Sequence, residues 1–236
     1  MERVLLCLHG WGGSKESFTE LRQTLEGSGL TVLTPDLPGF GDEPEPPVPW
    51  TLNDYAEWAE RQILERGIER LSLLGHSHGG RISIAVAARG NLSIDHLYLC
   101  AASGIRHRFS FKRFVGGLLA AAGKTLFGLP ILRSLQSPVK KIFYKILGEH
   151  DYERATPVMK KTLANVVSVD VRPLLPKISV PTDLFWGEED TMTPLADGRM
   201  IREGIRGSTL HAFPGVRHRV HRDRAAEIAA VIRSQQ

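Results

Sequence analysis

Leu71-Ser72-Leu73-Leu74-Gly75-His76-Ser77-His78-Gly79-Gly80 runs directly into Arg81-Ile82-Ser83-Ile84-Ala85-Val86-Ala87-Ala88. Its first four residues form a short apolar run of strand type, and the small residues from 79 to 88 repeat at helical spacing. Between the two, Ser77 is bracketed by Gly75 and Gly79. Gly-x-Ser-x-Gly between a strand and a helix answers a geometric demand. The serine must occupy a sharp, strained turn for its hydroxyl to project from the sheet, and side chains at 75 and 79 would clash there. The helix behind it directs amide groups and a positive dipole end at any negative charge that forms nearby. Ser77 is therefore a candidate nucleophile.

Outward from this turn the chain keeps one rhythm. Apolar runs at 4–8, 31–34, 71–74, 97–101, 182–186 and 209–213 end at Gly, Pro, Ser or Asp. Stretches with three- and four-residue apolar spacing (18–26, 52–66, 79–88 and 224–233) lie between them. Strands without polar alternation are expected to be buried on both faces. Their alternation with helices predicts an α/β architecture, a mostly parallel central sheet flanked by helices with right-handed connections. Two segments break the rhythm. Residues 43–49 hold four prolines and predict an extended loop before a helix capped by Thr51 or Asn53. Residues from about 104 to 170 lack a clear strand and predict a helical insertion over the sheet edge. The core is thus expected from 1–103 and 171–236.

A chain of 236 residues with 42% hydrophobic and 24% charged residues is long enough for a substantial core and excludes disorder, collagen and coiled coil. Cys7 and Cys100, both in apolar runs, read as free thiols of a reducing compartment. The first apolar run spans only 4–8, too short for a signal peptide or a membrane span, so a soluble cytoplasmic protein is expected. Charge is unevenly spread. Residues 104–165 hold 12 Lys or Arg against three acids, a balance of +9, which leaves −5 for the rest of a chain whose total is +4.

His9-Gly10-Trp11-Gly12-Gly13 follows the first apolar run. Acyl transfer needs two donors aimed at the developing oxyanion. A His-Gly-x turn can present the Trp11 backbone N–H opposite that of His78, the residue after Ser77. His9 itself reads as a structural imidazole bonding the turn's backbone rather than as a base.

With these motifs the sequence resembles the α/β-hydrolase superfamily, in its compact branch of small esterase-like enzymes with a helical cap. The resemblance also draws on Asp36-Leu37-Pro38-Gly39-Phe40-Gly41, Trp186-Gly187-Glu188-Glu189-Asp190 and Gly215-Val216-Arg217-His218. It covers nearly the whole chain outside the insertion, within which only 151–170 is locally similar. In one departure, the first strand resembles the family's third, and the usual N-terminal antiparallel hairpin is absent. The family's order of nucleophile, acid and histidine implies Asp190 as the acid and His218 as the base. By the same resemblance the strand-end turn points Asp190, rather than Glu188 or Glu189, at the site. Ala101-Ala102-Ser103 offers no acid after the preceding strand, where some relatives carry theirs. The motif frame selects His218 over His221, which is expected to be a satisfied polar group at the next helix. Asp36 resembles a residue that ties the strand-to-loop turn.

Other chemistries fit less well. His76 and His78 are separated by the serine and point opposite ways. His218-x-x-His221 lacks a metal-binding Glu, and no third ligand cluster exists, so neither metal nor cofactor is expected. Gly39-Phe40-Gly41 continues into Asp42-Glu43 rather than a phosphate cradle, and no nucleic-acid partner is expected.

In the family, such an insertion resembles a cap over the nucleophile. Its Phe, Leu and Ile residues mixed with cations permit an apolar tunnel with a basic rim, for anionic esters or peripheral lipid contact, or simply a solvated cap face. Arg106 and Arg108 are the cations expected first to touch substrate. The leading expectation is a serine hydrolase of carboxylic esters. A C–C bond hydrolase with the same triad and a non-catalytic ligand-binding member of the fold are the alternatives. Serine at 77 argues against the aspartate-nucleophile dehalogenases and epoxide hydrolases of this fold.

Overall fold

The computed structural model describes residues 3–106 and 155–235. Six strands form one sheet: β1 (Arg3–Leu8), β2 (Leu30–Leu33), β3 (Arg70–His76), β4 (Ser93–Cys100), β5 (Thr182–Gly187) and β6 (Thr209–Phe213). Their order is β2-β1-β3-β4-β5-β6, and every neighbouring pair is parallel. β4 begins four residues before the apolar run that announced it. Its first half alternates exposed and buried, with Asp95 paired outward to Arg70 of β3, and those polar residues hid it.

The helices are α1 (Thr19–Leu25), α2 (Leu52–Leu64), α3 (His78–Arg89), α4 (Pro157–Ser168), α5 (Leu195–Gly204), α6 (Val220–Asp223) and α7 (Ala225–Ser234). Between Thr51 and Asn53 as cap of α2 the structure selects Thr51. Its hydroxyl accepts the Asp54 amide, and the Asp54 carboxylate accepts the Thr51 amide in return. Asn53 instead bonds Glu57 and Arg89 along the exposed face.

β1–α1–β2 steps to one side of β1, and β3–α3–β4 steps to the other. Right-handed crossovers then place α1 and α3 on opposite faces, and the loops leaving β1 and β3 diverge at their carboxyl ends. A crevice must open there. Trp11 leaves β1 on one side of it and Ser77 leaves β3 on the other.

Residues 4–8 of β1 and all of β5 are buried. Fully burying one such Leu or Phe side chain contributes roughly 1.5–3 kcal/mol. Burial on both faces does not extend to the sheet's rims. β2 is half-buried throughout and β6 is partly exposed, because an edge strand has a neighbour on one side only. Among the described residues, no helix is long and apolar enough to cross a membrane.

Most of the expected insertion, 107–154, lies outside the described residues, and with it Arg108 and the insertion's Phe residues. Its end is described, and it lies on the core. α4 buries Met159, Thr162 and Val166. The Thr162 hydroxyl accepts the Trp50 amide at 2.9 Å, Asn165 donates to the Trp50 carbonyl at 3.1 Å, and Thr156 donates to Glu45 at 2.6 Å. Arg81 of α3 reaches the Val166 carbonyl at 2.6 Å. The proline-rich loop therefore serves as the seat of α4.

Candidate active site

Ser77 adopts φ 51° and ψ −110°, a region that a residue with a Cβ rarely enters and that costs on the order of 1–3 kcal/mol. Its surroundings over-determine it. The Ser77 amide donates to the Cys100 carbonyl at 3.0 Å. Its carbonyl accepts from the Arg81 amide at 3.1 Å, the Ser103 amide at 3.0 Å and the Ser103 hydroxyl at 3.1 Å. The bracketing glycines are required by contact. A Cβ at Gly79 would overlap the Leu8 carbonyl, and one at Gly75 would overlap the Ser83 hydroxyl and the Gly79 carbonyl.

Across the crevice, the turn after β1 is held by Gly13 N–H on the Gly10 carbonyl at 3.0 Å. His9 accepts the Leu37 amide on Nε2 at 2.9 Å and so donates from Nδ1 to the Gly10 carbonyl at 2.8 Å. Both nitrogens are spent on backbone, and burial lowers its pKa. Asp36 ties the adjoining loop, accepting the Lys15 amide at 2.6 Å and the Asp42 amide at 2.9 Å. The Trp11 indole sits between Phe40, 4.8 Å away, and His78, 5.3 Å away. The His78 ring is buried beneath Trp11 and Tyr55, its pKa driven well down by burial and by Arg81. The amide of His78 heads α3, where no intrahelical acceptor exists.

The chain leaves β5 with Glu188 and Glu189 exposed and Asp190 buried. Asp190 Oδ1 accepts the Met192 amide at 2.8 Å and the Thr193 amide at 3.0 Å. Its Oδ2 accepts the Thr193 hydroxyl at 2.8 Å and lies 2.8 Å from His218 Nδ1, which donates to it. Burial pushes this carboxyl upward, but the bonds from His218 and Thr193 outweigh it and hold the pKa below the ordinary value. Trp186 braces the loop, its indole N–H on the Thr193 carbonyl at 2.8 Å.

His218 stands between β6 and α6 on a loop joined to that of Asp190 by the Glu189 amide on the Val216 carbonyl at 2.9 Å. Among the described residues its ring makes no hydrogen bond to the Ser77 hydroxyl. The link to the serine runs through the residue before it, His76, whose Nε2 lies 3.0 Å from the His218 carbonyl.

Other expectations fare unevenly. Arg106 is exposed, its guanidinium on the Ser168 carbonyl at 2.9 Å and its own carbonyl accepting from Arg172 at 3.2 Å. His221 is only in part the satisfied polar group expected. It is buried against Phe18 and His76, and its ring engages the Ser17 backbone, while its Nδ1 finds no hydrogen-bond partner among the described residues. Thr193 was missed altogether. Its hydroxyl lies within 3.2 Å of His218 Nδ1 as well as on Asp190. Asp190 followed by two loop residues and Thr193 is the pattern of a carboxylate that captures the amides two and three positions on, and it was there to be read.

Comparison with known proteins agrees with this fold. A pimeloyl-[acyl-carrier protein] methyl ester esterase of Neisseria meningitidis serogroup C is 26% identical over 98% of this chain and 92% of its own. Lipase 3 of Moraxella sp. is 27% identical over 85% of this chain and 67% of its own. Among solved structures, an esterase from Exiguobacterium antarcticum superposes with a TM-score of 0.74 at 20% identity, covering 98% of this chain and 91% of that one. The alpha/beta hydrolase family model matches residues 5–231. A strained serine at the switch point of a parallel sheet, matched along nearly the whole chain, makes this protein a member of the alpha/beta hydrolase family.

Proposed function

We propose that this chain is a serine hydrolase of carboxylic esters, with Ser77 as nucleophile, His218 as general base and acid, and Asp190 as the residue that orients it. The observation that carries the reading is the 2.8 Å bond between His218 Nδ1 and the fully hydrogen-bonded Asp190, in the crevice where Ser77 is held in a strained conformation.

A bond on Nδ1 leaves Nε2 of neutral His218 as the proton acceptor. As Ser77 Oγ attacks the ester carbonyl, Nε2 takes the hydroxyl proton, and the carbonyl oxygen becomes an oxyanion facing the amides of Trp11 and His78. One such donor is worth on the order of 10²–10³ in rate. Collapse breaks the bond to the alcohol, which leaves with the proton from His218. Water then gives a proton to Nε2 and attacks the acyl-serine. The second collapse releases the acid and returns the proton to Ser77. Asp190 keeps its negative charge throughout and stabilises the imidazolium formed in each half-reaction. Arg106 has further N–H donors beyond the one on Ser168, and we assign these, with Arg108, to anionic groups on the substrate. The esterase and lipase relatives support ester chemistry over the alternatives.

Release of nitrophenol from short acyl esters by wild type and by Ser77→Ala tests the reading. Loss of turnover in the variant is expected, and equal rates would overturn it.

A further inference from the structure

His76 performs none of the chemistry above, yet it touches three of the four loops on which that chemistry depends. It ends β3, immediately before Ser77. Its Nε2 lies 3.0 Å from the His218 carbonyl, 142 positions away in the chain, and a ring nitrogen facing a carbonyl must carry the hydrogen. Its ring stands 4.9 Å from that of His218 and 3.8 Å from that of His221. On the oxyanion side Gly10 presses so close that a Cβ there would lie 3.0 Å from His76 Nδ1 and 3.3 Å from Ser77 Cβ. The ring is 7% exposed. Burial, with the imidazoles of His221 and His218, holds its pKa well below the ordinary value, so it is neutral and has one N–H to give.

Filling space would require only a ring of this size, and phenylalanine would serve. A directed bond to the backbone of the base is a different property. His218 sits on a loop, where its position relative to Ser77 must be set by contacts from outside, and a misplacement of about 1 Å can lower a rate on the order of 10²-fold. We propose that His76 is a positioning residue, whose Nε2–H fixes the backbone of His218 relative to the serine it precedes. The inference rests on the hydrolase reading for its consequence in rate, but the contact itself can be tested without substrate.

Three substitutions separate hydrogen bonding from packing. His76→Gln sets an amide nitrogen near the position of Nε2, His76→Asn reaches only as far as Nδ1, and His76→Phe keeps the ring without a donor. On a short nitrophenyl ester, kcat is expected to fall roughly 10–100-fold in the Phe and Asn variants, with KM within about twofold, and to recover to within about fivefold in the Gln variant. Wild-type kcat in His76→Phe, or a Gln variant as slow as the Asn variant, would overturn the inference. If the Phe variant fails to fold, the Gln and Asn pair still decides, since both are polar and differ in reach. Proton–nitrogen NMR of the imidazoles supplies the readout free of turnover. The His218 Nδ1–H signal, sharp in wild type, is expected to broaden in His76→Asn and to stay sharp in His76→Gln. An unchanged signal in the Asn variant would overturn the inference whatever the esterase assay shows, whereas absence of turnover in wild type would count against the hydrolase reading alone.

Discussion

β5 carries a carboxylate near each of its ends, and both are bonded to imidazole. Near its start, Asp183 lies between two strands, with Oδ2 2.8 Å from His96 Nε2 on β4 and Oδ1 2.6 Å from His211 Nε2 on β6. Just past its end, Asp190 meets His218 and Thr193. Both carboxyls are held below their ordinary pKa for the same reason: burial pushes them up, and the hydrogen bonds they accept more than reverse it. Their neighbours set them apart. His96 is stacked on Tyr98 at 4.4 Å and His211 on Phe185 at 4.9 Å, so both rings are clamped into the sheet. His218 rises from a loop beside the strained serine. An Asp–His pair is therefore not a site by itself. It becomes a candidate only where the sheet's switch point brings a strained serine to it.

The contrast can be broken most forcefully at the serine. Ser77→Ala should lower ester turnover by at least about 10³-fold, while Asp183→Asn should leave kcat/KM within roughly threefold of wild type. Steady-state assays on the same ester decide this, and the opposite ranking would reverse the roles of the two ends. Asp190→Asn should come next, with a loss in kcat on the order of 10³–10⁴, because the imidazole loses the partner that fixes its tautomer and supports its charge. Thr193→Val should cost less, roughly tenfold in kcat. Asp190 keeps its two amide donors and His218 in that variant, and what is removed is the hydroxyl, which lies on Asp190 and within reach of the Ala101 carbonyl and His218 Nδ1.

Stability should show the converse. Asp183→Asn leaves at least one buried imidazole poorly matched and should destabilise the fold by about 1–3 kcal/mol, read from urea unfolding. A variant as stable as wild type would show that the cluster contributes nothing to the sheet. A further effect concerns acid. Burial, then the charges of Arg222, His218 and Arg219, pushes His221 down to about 3. The unfolded chain binds that proton from about pH 6.5 downward, so the stability due to the neutral ring is complete above that pH and declines as pH falls toward 3. Asp183 titrates near 3.9 when unfolded and lower when folded, so its contribution is complete above about pH 4 and is lost below it. The urea midpoint should thus fall in two stages on acidification, and Asp183→Asn should diminish only the second.

Some of this was open to reading from local pattern alone. Ser77 declares itself because the turn that exposes it excludes side chains at 75 and 79, and that exclusion is written into neighbouring residues. His9 was legible for a similar reason, since it bonds the backbone of its own turn, whereas Asp36 was legible only through the family resemblance. β4 was read four residues short because Asp95 and His96 face a neighbouring strand's charge and carboxylate, which no one-dimensional pattern reports. Thr193 and His76 were passed over because each acts on a residue brought to it by folding.

The sequence by itself determined that apolar runs and helical stretches alternate, that the sheet must be parallel, and that a serine stands on a forced turn, because these depend on contacts among residues a few positions apart. Only the tertiary structure decided that Thr193 joins Asp190 and His218, that His221 Nδ1 is left without a partner among the described residues, and that His76 holds the carbonyl of His218. Those outcomes depend on which loops meet at the ends of β1, β3 and β5, and burial and hydrogen bonding there are properties of the assembled crevice rather than of any segment that lines it.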